Sequence, residues 1–230
     1  IMLRLIPTSI ILTAFFSINL AHSQAGLAYY VDVDNPVAFV QALDTLNSSP
    51  EARSDNVRVA LSVSVANGPS SSTHVVNVIG DSLSDIDALR RTQATSQAFS
   101  DFLTVNRNNV TNVAELMFNS TGTSDGKDSI ITSPNAYTWY IHLLVSDIPA
   151  YMTALQDLMA ANRNRNVTMH AYQVAGTGQG GPNLTVVNRA NSLEDLLSAV
   201  NEYDEFIEKT IDIRTPISNG IYQTLRVWSQ

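Results

Sequence analysis

The body of this chain is written twice, and that constrains its fold more than any other feature. Residues 26–118 and 136–230 carry the same succession of strand, helix, two strands, helix and strand signals, with much of the match at an offset of 112 residues. A repeat of this kind implies two similar units fused on one chain, a pseudo-dimer.

In the first copy Tyr29, Val31 and Val33 alternate with Tyr30 and Asp32, the period of two of a strand with one strongly apolar face; Ile141, Leu143 and Val145 are the counterparts. Each strand runs into an Asp-x-Pro sequence, Asp34-Asn35-Pro36 and Asp147-Ile148-Pro149, where Asp can cap a helix and Pro can occupy its first turn. The prolines are offset by 113, so the helix starts are expected to differ by one residue. Phe39, Ala42, Leu43 and Leu46 form a helical stripe, matched by Tyr151, Ala154, Leu155 and Leu158.

Val57, Val59, Leu61, Val63 and Val65 then mark a half-buried strand, with a weaker twin at Val167, Met169 and Ala171. Turn-rich loops, 67–72 and 176–182, lead each copy into a third strand and so read as hairpins. Ser82-Leu83-Ser84-Asp85 and Ser192-Leu193-Glu194-Asp195 announce second helices, each one helix or two short ones, through a hydroxyl cap and an acidic first turn. Final strands are expected around 113–118 and 221–228. Residues 119–135, rich in Ser, Thr, Gly and Asp, read as a linker between repeats.

Ahead of the repeats, Arg4, an apolar run over 5–20 and small residues at 21–25 resemble a secretory signal peptide, cleaved after Ser23 or Ala25. The mature protein is therefore expected to be secreted or periplasmic, with no membrane association once the leader is removed. Thirteen Lys and Arg against 21 Asp and Glu, a net charge of −8, argue against nucleic acid, because phosphate binding needs clustered cations. With no cysteine, thiolate chemistry and iron-sulfur ligation are excluded.

The element order, with the Asp-x-Pro and Ser-Leu-x-Asp signatures, resembles the dimeric α+β barrel superfamily, which includes antibiotic-biosynthesis-monooxygenase-like domains. The likeness is to the tandem form, in which two ferredoxin-like repeats on one chain build the whole barrel. The resemblance implies an α+β fold whose sheets carry helices on one face and meet through the other. It also implies either a monomer with an internal pseudo-dimer or a weak homo-oligomer. Where monooxygenase-like members carry an aromatic residue at the end of the third strand and a His in the following helix, this chain has Ile79-Gly80-Asp81 and Asn188-Arg189-Ala190 and no such His.

If the apolar strand faces hold the helices, the other faces line the space between the sheets. That places Tyr30, Asp32, Arg58, Tyr140, His142, His170 and Tyr172 around a candidate ligand site, with Ser62, Ser64 and Thr168 beside them. The alternative is a packed inter-sheet core in which Tyr140, Tyr172 and Trp139 fill that space and the rings are simply hydrogen-bonded. His142 and His170 share a face but have a third strand between them, roughly 10 Å apart. They can flank a ligand more readily than share a metal, and no metal or cofactor is called for. The Gly176–Gly181 run lacks the following helix of a phosphate loop.

The functional expectation is binding of a small apolar or aromatic molecule between the sheets. The alternatives are a monooxygenase-like or isomerase-type enzyme using His142, His170 and the tyrosines, and a structural or assembly protein with no small-molecule site.

Overall fold

The computed structural model describes residues 24–52, 54–125, 133–198 and 200–228. The proposed leader at 1–23 and the middle of the proposed linker lie outside the described residues. In the first half, β1 (Ala25–Val33), α1 (Pro36–Ser48), β2 (Val57–Ala66), β3 (His74–Gly80), α2 (Leu83–Ala94), α3 (Gln97–Asn106) and β4 (Val110–Ser124) follow one another. The second half repeats the order with β5 (Tyr137–Val145), α4 (Ile148–Ala161), β6 (Val167–Ala175), β7 (Leu184–Ala190), α5 (Leu193–Leu197), α6 (Tyr203–Thr210) and β8 (Arg214–Trp228). Each second-helix signal thus becomes two short helices.

The caps explain why the first helices start where they do. The side chain of Asn35 accepts from Ala38 N at 3.1 Å, and that of Asp147 accepts from Ala150 N at 3.0 Å. The capping residues are therefore Asn35 and Asp147, spaced by the same 112 residues as the strands, although the prolines behind them are offset by 113. This corrects two expectations, a one-residue difference in start and Asp34 as the cap of the first copy: the side chain that satisfies the free N–H groups sets the start, and Pro is accepted at either of the first two positions. Ser82 and Ser192 cap α2 and α5 through Asp85 N and Asp195 N.

All strand pairs are antiparallel, and the strands close into a barrel in the order β1-β3-β2-β8-β5-β7-β6-β4. Read from its own last strand, each half has the same order: β4-β1-β3-β2 and β8-β5-β7-β6. The halves join through two seams, β2 with β8 and β4 with β6. Both seam strands β4 and β8 are 15 residues long, much longer than the sequence signals, because each pairs with its own β1 or β5 and also with the second strand of the other half. For the same reason residues 119–124, read as linker, belong to β4, where Asn119 and Ser120 pair with Gln173 and Tyr172.

The outer sheet faces carry the helices. Phe39 and Leu43 of α1 pack on Val31, Val33, Leu61 and Val76, while Leu155 and Leu158 of α4 pack on Leu143, Met169, Leu184 and Val186. A separate cluster occupies the barrel lumen: Ala28, Tyr30, Val75, Tyr140, Tyr172, Val187 and Tyr222, with Leu116 and Phe118 against it. Gly26 admits the Phe118 ring to that cluster, since a Cβ there would collide with the ring and with the Val78 carbonyl.

Candidate functional site

Strand alternation places the expected residues on the lumen face, and packing decides what they do there. Tyr30 meets Tyr140 and Tyr222 edge-on, with centroids 6.2 and 5.9 Å away, and Tyr172 meets Phe118 at 5.2 Å. The space left among Tyr30, Tyr140, Tyr172, Phe118, His142 and their neighbours is about 30 Å³. A single water needs about 10–15 Å³ of such space, so the lumen takes water or a small ion and no organic ligand. The rings have closed the site that the sequence pattern suggested.

The lumen polar groups are largely engaged with one another. His142 Nε2 lies 2.9 Å from the Tyr30 hydroxyl and its Nδ1 2.8 Å from Thr185 Oγ1, while Asn77 Nδ2 donates to the Tyr140 hydroxyl at 3.0 Å. Burial pulls His142 down from 6.5 to about 4, so the ring is neutral near pH 7, and burial raises Tyr30 well above the ordinary tyrosine value. His170 stacks on Tyr172 at 6.3 Å, with β7 between its strand and that of His142. Asp32 and Arg58 do not line the cavity; Arg58 is partly exposed and lies 3.9 Å from Asp81. Trp139 faces outward under the helices, where it joins Tyr137, Ile221 and Leu196, and takes no part in filling the lumen. Among the described residues no group of three or more His, Asp or Glu can hold a metal.

Room for a ligand lies on the other side of the sheet. In the second half a cavity of about 740 Å³ opens between the sheet and α4, α5 and α6, and its first-half counterpart measures about 400 Å³. The difference follows from helix length: α5 and α6 have 5 and 8 residues where α2 and α3 have 12 and 10, so more of the second sheet is left uncovered. Both volumes fall within the range of about 300–1,000 Å³ usual for small-molecule sites.

The larger cavity has aromatic walls, Trp139, Tyr151, Tyr203 and Phe206, on an apolar floor of Ile141, Leu143, Met169 and Val186. Trp139 Nε1 and Asn188 Oδ1, on cross-strand neighbours, are buried there without hydrogen-bond partners among the described residues, one a donor and one an acceptor. Arg214 lies 5.4 Å over the Phe206 ring, and burial pushes the Tyr151 hydroxyl up to about 12. Arg165 donates to the Ser198 carbonyl at 2.8 Å, tying down the break between α5 and α6. At that break Glu202 lines the cavity with φ at 59°, a left-handed backbone that costs a non-glycine residue energy and recurs at functional sites.

Sequence reasoning missed this cavity because its aromatic walls and apolar floor read as ordinary helix-facing core. The Asn188 amide, on a strand face otherwise made of Leu184, Val186 and Ala190, was the available signal.

No protein-family model and no curated protein matches the chain. Solved structures do. A candidate monooxygenase of Fusobacterium nucleatum superposes with a TM-score of 0.63 at 13% identity, over 90% of this chain and 94% of that one. An anthrone oxidase-like protein gives 0.58 at 12% identity, over 90% and 92%. A chlorite dismutase variant from Candidatus Nitrospira defluvii gives 0.55 at 12%, over 88% and 92%. The chain has the ferredoxin-like α+β barrel fold. At these identities the likeness is one of architecture.

Proposed function

We propose that this protein binds a small apolar or aromatic molecule in the cavity between its second sheet and α4, α5 and α6, and that its barrel is two fused ferredoxin-like repeats. The fusion is supported by the shared strand order of the halves and by the 112-residue offset of strands and caps. The observation that carries the binding reading is the roughly 740 Å³ aromatic-walled cavity in which the Trp139 donor and the Asn188 acceptor lack partners. Buried polar groups of this kind are nearly always bonded, so a ligand with one acceptor and one donor on an aromatic frame would satisfy both. The leader-like residues 1–23 support action outside the cytoplasmic membrane. A catalytic use of the cavity draws only on the monooxygenase and oxidase names of its structural neighbours and comes second.

Trp139 reports directly on the test. With Trp228→Phe removing the only other tryptophan, titration with 2-naphthol should quench the Trp139 emission saturably, and Asn188→Leu should weaken the affinity about tenfold, the equivalent of one lost hydrogen bond of about 1.4 kcal/mol. Quenching that does not saturate, or that Asn188→Leu leaves unchanged, would remove the basis for this site.

A further inference from the structure

The lumen contains one group that its packing does not explain. Arg189, on β7, is 7% exposed, lines the roughly 30 Å³ cavity, and has Nη1 buried without a hydrogen-bond partner. No acidic residue pairs with it among the described residues. Directly across the β6–β7 ladder stands Thr168, fully buried behind the cavity wall, whose Oγ1 also lacks a partner among the described residues. The pseudo-equivalent of Arg189 in the first half is Ile79, which lines the same cavity from the opposite wall. The charge is thus a departure from the repeat, placed on one side of the lumen.

Burying a guanidinium nitrogen with neither a hydrogen-bond partner nor a counter-charge beside it is costly. The other titratable groups that line the cavity do not supply the missing charge. His142 is neutral, Tyr30 is held in its protonated form by burial, and the Tyr140 hydroxyl is occupied by Asn77. A water can fill the space but cannot neutralise the cation.

We propose that the lumen binds a single small monovalent anion of halide size, held by the guanidinium of Arg189, which lines the cavity. The cavity has room for one such ion and excludes larger anions. The anion acts as a structural ligand of the folded barrel, stabilising it by mass action because the unfolded chain does not offer the site. This inference is independent of the ligand proposed for the helix–sheet cavity, which lies on the opposite face of the sheet.

The test is thermal unfolding of the full chain in sodium chloride and in sodium gluconate at equal ionic strength, since gluconate is too large for the cavity. The expected result is a melting temperature several degrees higher in chloride. Arg189→Met, which keeps the aliphatic stem, should abolish the difference. Crystals soaked in sodium bromide should show an anomalous peak within hydrogen-bonding distance of Arg189. Equal melting temperatures in the two salts, a difference that survives Arg189→Met, or ordered water without an anomalous signal at Arg189 would each overturn the proposal.

Discussion

His142 shows how burial turns a titratable residue into a fixed structural part. Its ring takes 6% exposure, bonds to Tyr30 and Thr185, and has its pKa lowered from 6.5 to about 4. Above pH 6.5 the ring is neutral in the folded and unfolded chain alike. As the pH falls from there to about 4, only the unfolded chain takes up the proton, so stability is progressively lost and levels off below. At about 1.4 kcal/mol per unit the loss is about 3 kcal/mol. His74, also lowered by burial, adds in the same direction. Urea unfolding at pH 7 and pH 4 should show this loss, and His142→Gln, which can still bond both partners, should show a visibly smaller one. A second substitution probes the ring packing. Tyr140→Phe strips the acceptor from the buried Asn77 amide and should cost about 1–3 kcal/mol in the same assay, with the fold intact. Strand alternation made both residues legible as lumen groups. It did not reveal that their partners would be each other's neighbours from different strands, because those pairs are made across sequence separations of 43 to 112 residues.

The helices and strands obey local rules at their starts and long-range rules at their ends. Asn35 and Asp147 cap α1 and α4 in the same way, so Asn35→Ala and Asp147→Ala should each lower stability by about 1 kcal/mol, read from chemical unfolding. A cost confined to one of them would mean that the two copies do not share this device. The Asp147 cap was visible in sequence because a side-chain oxygen three residues ahead of a free N–H is a local feature, whereas the first copy's cap falls on Asn35 and not on the Asp34 that the Asp-x-Pro signature suggested. The lengths of β4 and β8 were not. Each continues only because a strand of the other half stands beside it, and residues 119–124 carry too little apolar patterning to announce a strand on their own. Likewise the split between α5 and α6, which opens the larger cavity, hinges on Glu202 in a left-handed conformation that no residue preference would assign to Glu.

At the scale of the molecule, closure of the barrel pairs every strand of the described residues on both sides, so none of these strands offers a free edge to another copy. Size-exclusion with light scattering should therefore find a monomer. A polypeptide of residues 24–125 alone would bare the lumen faces of β1 to β4 and two seam edges, and should not persist as a folded monomer in the same measurement. The sequence by itself determined the order of elements, its recurrence in the second half, most of the caps, and which side chains of each strand share a face, since these follow from local side-chain chemistry and the covalent period of helix and strand. Only the tertiary structure decided that the space between the sheets is filled by Tyr30, Tyr140, Tyr172 and Tyr222 and that the open volume lies under the helices. The physical reason is that a cavity is the small remainder between the volume a backbone encloses and the volume its side chains occupy. That remainder depends on registers and helix lengths throughout the barrel, which no local stretch of sequence contains.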